Sequence, residues 1–520
     1  MNNFTKFTTF IIILFLMLFS NSGVLAQRAI DPLTDIVTLI NGDTTATGER
    51  VNTSYTLENG GVYLALGSIQ SDYNLKLSAT GNAGAEKPKV IILTDQSGNS
   101  STLFRPYAGG IELDGIYFSG VNSLGAKVSY ILESQGAGVI VRAKNCVFDS
   151  IQTAVFRFNY DESSFFLEDC LIHDVWRSPH TGRVIDFRRT FMDTISIVNN
   201  TFYNISHDIL GRFAGGSKYC KFDHNTVYAL CRCPLRIDLC PEVIVTNNLF
   251  LNTGTAGYLQ LWETEYQLQS ENALGSRDEF ARIELWPLSF DTTAYYGTVQ
   301  KEINFDNNNW WIDPAIESQF PDTIYTYRNM DFDFEKEMIG EDTLTWISED
   351  CNFTSVPPNN YLLLAQTNWA DASNDGWSNE GFPFDFTYST TSASYTAAKG
   401  GFPLGDLNWF PDQKTAWEAW IHTDVVETEN AIPSEFSLGQ NYPNPFNPAT
   451  NIKFDIAKQG NYSLKVFNML GQEVSTLVNG KLDAGVHQVT FNAARLSSGV
   501  YFYSLIGANI NITKKMILIK

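Results

Sequence analysis

After its first nineteen residues the chain lacks any long apolar run, and that excludes a membrane-spanning helix in the mature protein. The one such run, Phe10 to Phe19, is ten residues long, against the roughly 18–20 needed to cross a bilayer. It follows Lys6 and precedes the small residues "SNSGVLA", the pattern of an export signal with cleavage after Ala26. Basic residues are scarce too: 35 Lys and Arg against 57 Asp and Glu give a formal charge of −22. An acidic body argues against nucleic acid as partner, because phosphate binding needs a basic face. The seven cysteines are an odd number, so at least one thiol is unpaired; Cys220, Cys231, Cys233 and Cys240 are close enough for one or two disulfides. "CRC" has no matching second pair, so zinc-ligand spacing is missing. Helical periodicity is almost absent as well.

What is present is a repeat. "RAKNCVFDSI", "FLEDCLIHDV", "SIVNNTFYNI", "KFDHNTVYAL" and "IVTNNLFLNT" share one template, a polar residue between two short alternating strands. Taking Asn145, Asp169, Asn200, Asn225 and Asn248 as anchors gives intervals of 24, 31, 25 and 23 residues. Phe166, Ile197, Phe222 and Val245 then fall in one column, and Val147, Leu171, Phe202, Val227 and Phe250 in another. A second strand set, "AVFRF", "RVIDF", "ILGRF", "PLRID" and "YLQLW", aligns on Phe158, Phe187, Phe213, Ile237 and Leu261. Units of this length built from short strands predict a parallel β-solenoid, one coil per unit, with coils stacked at about 4.8 Å. The asparagines are expected to hydrogen-bond from coil to coil at a tight turn.

Alternation sends every second side chain outward. In the second strand set that puts Arg157, Asp186, Arg212, Arg236 and Gln260 in one outward column, with Asn159, Arg188, Ala214, Asp238 and Trp262 beside it. Such a charged stripe reads two ways: a solvated ladder of ion pairs, each worth little, or a grip on an anionic polymer through bidentate arginine–carboxylate contacts. The carboxylates Asp186 and Asp238 lie two coils apart, about 10 Å, near the spacing of an inverting glycosidase. His173, His180 and His207 sit at turns flanking the stripe, where one could serve as a general base. The outer face of the first strand set, with Val141, Phe165, Ile244, Ala143, Leu167 and Val198, reads as too apolar for water. Residues 313–430 hold 21 Asp and Glu against four Lys and Arg, and their acidic, aromatic part at 313–390 is the expected cover. Within it "DASNDGW" has the first-half spacing of a calcium loop but no acidic twelfth position. Calcium is therefore a candidate cofactor there, and no other is indicated.

The coils resemble the right-handed parallel β-helix of the pectate-lyase-like superfamily. "LDGIYFSGV" fits an earlier coil, "NFDNNNWWID" a resumption after an insertion at about 252–303, and "FDFTYSTTSASYTAAKGGFPLGDLNW" the closing coil of secreted members. "VYLALGSIQ" through "KPKVIIL" is similar to their opening segment. The resemblance covers roughly residues 35–425. It implies an acidic polysaccharide as partner and β-elimination as reaction, with Arg212 and Arg236 as candidates for base or carboxylate clamp. Arg157, Asp186, Asp238, Gln260 and Trp262 would bind substrate. A non-catalytic glycan-binding or adhesive surface protein fits the same stripe.

The last residues differ from the body. Residues 434–520 carry eight Lys and Arg against four Asp and Glu, and read as alternating strands parted by Gly-rich turns, a small antiparallel sandwich. "NYPNPFNPATNIKFDI", "KVFNMLGQEV", "LDAGVHQVTFNA", "LSSGVYFYSL" and "KKMILIK" resemble the type A C-terminal sorting domain of type IX secretion substrates. The resemblance implies passage through the periplasm, engagement of the outer-membrane secretion machinery, and anchoring at the cell surface or release. The expected fold is thus all-β, a right-handed parallel β-helix followed by a small antiparallel β-sandwich. Its expected order is a signal peptide (1–26), an N-terminal cap and opening coils (27–110), β-helix coils (111–312), an acidic covering segment with the terminal coil (313–425), a linker (426–435) and the sorting domain (436–520).

Overall fold

A computed structural model describes residues 27–82, 84–95, 97–122, 124–175, 182–188, 190–213, 216–230, 234–237, 240–253, 283–285, 302–317, 346–356, 384–429, 437–439, 441, 444, 446–456, 458–482, 485–507 and 510–519. The expected signal peptide lies outside them, as do "DASNDGW" and His180. The chain divides into two units after Lys414.

The first unit is a parallel β-solenoid of about 8 turns. Among the described residues its three sheets have ten, eight and nine strands, and each sheet takes one strand from successive coils. Near its start a short helix, Ile36–Asn41, buries Ile36, Val37 and Ile40 and is capped by Asp35, whose side chain accepts the Val37 N–H. In the first sheet the inward column runs Leu113, Ala143, Leu167, Ile197, Phe222 and Val245. In the second it runs Phe104, Leu132, Phe156, Ile185, Leu210 and Leu235. In the third it runs Phe118, Phe148, Ile172, Phe202, Val227, Phe250 and Trp310. The columns meet in one core, where Phe156 lies 5.0 Å from Phe148 and 4.8 Å from Phe165 between ring centres.

Register corrects the sequence alignment by one residue in the upper coils. Asn145 and Asp169 do not belong with Asn200; they share the left-handed turn position with Asn199, His224, Asn247 and Asn307, all at φ between 51° and 61°. The residue after it is the true ladder: Cys146, Cys170, Asn200, Asn225, Asn248 and Asn308. There each asparagine Oδ1 accepts the backbone N–H of the coil before, at 2.8–3.0 Å, and its Nδ2 donates to a core-side carbonyl. Cys146 and Cys170 are buried free thiols, as are Cys220, Cys240 and Cys351.

The same slip misplaced a face. Val141, Ala143, Phe165 and Leu167 point inward and are at most 2 % exposed. The outer column of that sheet instead carries Lys76, Glu112, Arg142, Phe166, Ser196 and Lys221, and after them Ile244, which does face outward as expected. It is a wet face of surface pairs such as Lys144–Glu168 and of Arg142 stacked 3.8 Å over the Phe166 ring. The described part of the following segment packs on the third sheet. Phe353 and Phe386 meet Tyr228, Phe386 also meets Tyr203, and the Trp346 indole donates to the Phe305 carbonyl. The cover therefore follows the aromatic outer column of Tyr203 and Tyr228.

In the second unit, a three-stranded and a four-stranded antiparallel sheet enclose Ile452, Phe454, Leu464, Val466, Tyr503, Leu505 and Met516. Asn441, in the Pro/Asn run that introduces it, accepts burial by donating its N–H to the Tyr503 hydroxyl and its Nδ2 to Thr450.

Candidate functional site

The second sheet's outer column is longer than its sequence signature, and its sign alternates. Arg105 follows Gln70, Glu133 precedes Arg157 in register, Arg157 pairs with Asp186, and Asp186 with Gly211. Parallel pairing brings such residues to about 4.8 Å from one coil to the next, so each arginine has a carboxylate above or below it. Arg105 Nη2 is 3.5 Å from Glu133 Oε2, and Arg157 Nε is 3.9 Å from Glu133 and 4.0 Å from Asp186. Arg157 further donates to Asn159 Oδ1 at 3.1 Å and to the Tyr130 hydroxyl, its guanidinium 5.1 Å from that ring. Side-chain exposure is 38 % at Arg105, 18 % at Glu133 and 23 % at Arg157, and Asp186 has none.

Arg212 does not occupy this column. It stands opposite Phe187, one residue along, and Gly211 takes the place beside Asp186. The gap is used: a Cβ at Gly211 would fall 2.2 Å from Arg183 Cδ, so the Arg183 side chain lies across the glycine. From there Arg183 Nη2 reaches His207 Nε2 at 3.1 Å and its Nε lies 3.6 Å from Asp208, while His207 Nδ1 is 2.6 Å from Asp208 Oδ2. A guanidinium only donates, so His207 accepts at Nε2. The imidazole lone pair a general base would need is therefore engaged.

Beyond Gly211 the column resumes at Arg236, which pairs with Glu284 of the strand Ile283–Leu285. Gln260 was expected at that position; "IEL" repeats the apolar–charged–apolar triplet of "LRI" and takes it. The side chains of Arg212 and Arg236 lie outside the described residues, as do Asp238, Gln260 and Trp262 altogether. Of the expected site, the structure thus brings together Arg157 and Asp186. Sequence reasoning missed Arg105, Glu133, Arg183 and Asp208. Arg105 and Glu133 precede the recognisable repeat, but "FRP" and "ILE" carry the same triplet with a charge one step inside or just after it. Arg183 and Asp208 leave no periodic signal, because they act across a missing side chain.

The family model of the secretion system C-terminal sorting domain matches residues 440–520. The protein is accordingly a type IX-sorted protein, secreted or held at the cell surface, whose sorting tail engages the secretion machinery. No helix among the described residues is long and apolar enough to cross a membrane. No curated protein and no solved structure matches the chain.

Proposed function

We propose that the protein is a cell-surface glycan-binding β-helix whose second-sheet column recognises an acidic polysaccharide without cleaving it. The observation that carries this reading is the self-neutralised ladder: Arg157 is shared between Glu133 and Asp186. β-Elimination needs a free base and an unopposed cation against the substrate carboxylate. Recognition asks only for a rigid series of donors. Arg105 and Arg157 keep part of their guanidinium surface in water and can exchange a loose carboxylate contact near 4 Å for a bidentate one from the polymer. Display at the cell surface puts such a ladder where extracellular polymers are met.

A polysaccharide lyase acting by β-elimination is the second reading, and Gly211 favours it. The alternation fails there: the register neighbour of Arg236 on that side is a glycine, and Arg212 lies one residue along the intervening strand. Those two arginines would clamp the uronate carboxylate; with a pKa above about 12, neither is a ready base.

Affinity electrophoresis through gels containing pectate, alginate or neutral glucan, run beside ultraviolet detection of unsaturated uronate, separates the two. The expected result is retardation by an acidic polymer, relieved in Arg105→Gln/Arg157→Gln, with no unsaturated product. Appearance of that product, abolished in Arg236→Gln, establishes the lyase. Free migration through every gel, with no product, rejects both.

A further inference from the structure

On the outer face of the third sheet, three ligand-bearing side chains converge away from the charged column. Asp149 and His173 are register partners in adjacent coils, and Asp174 follows in the left-handed turn at φ 56°, which folds its carboxylate back toward the imidazole. His173 Nδ1 is 2.8 Å from Asp174 Oδ2 and 3.4 Å from Asp149 Oδ1, and one donor atom from each of the three lies within 4.8 Å of the others. All three residues are buried, at 1–4 % exposure.

We propose that Asp149, His173 and Asp174 form a structural binding site for one divalent transition-metal ion, zinc by preference. Donors bound at about 2.0–2.2 Å stand roughly 3.0–3.4 Å apart in octahedral or tetrahedral geometry, and both observed N···O separations fall near that interval. One imidazole nitrogen with two carboxylates suits zinc or manganese; calcium prefers six or more oxygens.

The surroundings hold each donor in its pose. Tyr117 donates its hydroxyl to Asp149 Oδ2 at 2.6 Å, the oxygen turned away from the histidine, and Asn204 Nδ2 donates to Asp174 Oδ1 at 3.0 Å. The Tyr203 ring lies parallel to the imidazole, centroids 4.8 Å apart and planes 5° apart, and fixes its plane. Outer partners of this kind are what orient metal ligands. Separately, Asn204 is 8 % exposed, and its Oδ1 is a buried acceptor with no hydrogen-bond partner among the described residues. A buried open acceptor on the residue already bonded to Asp174 is unexplained by the polar network alone, and a cation or its water would satisfy it. Lys127 directs its ammonium to the Asp174 backbone carbonyl at 3.4 Å.

The test uses the full chain, stripped with a strong chelator and then given zinc, manganese or calcium alone. The readouts are metal content by mass spectrometry and melting temperature. The expected result is one zinc per folded chain, a melting temperature raised by several degrees, and no rise with calcium. Asp149→Asn should lose the ion. Tyr117→Phe, which leaves all three donors in place, should weaken zinc binding on the order of tenfold while still folding. Cobalt should report the site through a ligand-field band that changes on imidazole coordination and is absent in His173→Gln. Failure of the folded wild type to retain zinc overturns the proposal, as does stoichiometric zinc retained undiminished in Tyr117→Phe and Asp149→Asn. A melting-temperature rise with calcium alone overturns the assignment to a transition metal.

Discussion

One turn of the solenoid is built from two chemistries. In the upper coils its inward position is Cys146 and Cys170; in the lower coils it is Asn200, Asn225, Asn248 and Asn308. Both halves must satisfy the same backbone N–H, and they do so unequally. Cys146 N–H finds only the Cys170 sulfur at 3.3 Å, a weak acceptor, whereas Cys170 N–H reaches Asn200 Oδ1 at 2.8 Å. Most contacts of the closing segment also fall on the lower half. Leu407 N–H donates to Asn199 Oδ1, Lys399 N–H to Asn247 Oδ1, and Asn307 Nδ2 to the Ala397 carbonyl. The amide ladder fixes the turn so that the residue beside it can receive that segment. In the upper half Asn145 meets the Lys87 ammonium, and the segment reaches only as far as Asp169, through Lys414 at 2.6 Å and Asn408 at 3.4 Å.

The sharpest way to break this comparison is Asn225→Leu. Asn225 Oδ1 accepts both the backbone and side-chain N–H groups of Asn200, and its Nδ2 donates to the Ile197 and Asp223 carbonyls. Leucine has similar volume but strands these buried groups at about 1–3 kcal/mol each. We expect a loss of about 4 kcal/mol in urea unfolding, together with faster hydrogen exchange at Asn200 and Cys170.

Asp406 tests the docked segment through pH. Burial pushes its carboxyl up to about 7, against hydrogen bonds from Thr201 and Asn408 that favour ionisation. A folded pKa above the unfolded value of 3.8 means the folded protein holds the proton more tightly. That stability is full below about pH 4 and is lost as pH rises through 7. The expected slope is a fall of a few kcal/mol between pH 4 and 7, flattening above, and Asp406→Asn should remove it. An unchanged slope in the variant would place the titration elsewhere.

These two residues also mark what the sequence could reveal. "NN" before an apolar pair announced the ladder, because amide chemistry at a fixed interval has few other uses. The register of the upper coils was not legible, since Cys146 and Cys170 substitute for asparagine without resembling it and Asn145 offers a decoy one step earlier. That single step turned Phe165 and Leu167 outside in, as a period of two must. In the charged column, Arg157 and Asp186 were found by alternation, but Gly211 was not, because a missing side chain adds no term to a pattern. The Asp149–His173–Asp174 group was hidden for another reason: its members come from two coils and a left-handed turn, and only Asp174 sits next to His173 in sequence.

A smaller effect is expected at Cys170→Ala. The thiol accepts one N–H at 3.3 Å and fills a small volume, so its loss should cost about 1–2 kcal/mol, well below Asn225→Leu. Equal costs would mean that the amides act by filling space rather than by bonding.

The smallest effect is expected at Arg157→Gln. Its nearest carboxylate oxygens are 3.9 and 4.0 Å away, and the side chain is 23 % exposed, so each pair is partly screened. Pairs of that kind are worth roughly 0–1 kcal/mol. Asp186, fully buried, is the partner that would suffer, yet glutamine keeps a donor within reach. We expect a change near 0.5 kcal/mol at low salt that shrinks as salt is added. A loss comparable to Asn225→Leu would show that the charged column is a structural spine, and would remove the ground for reading it as a recognition surface.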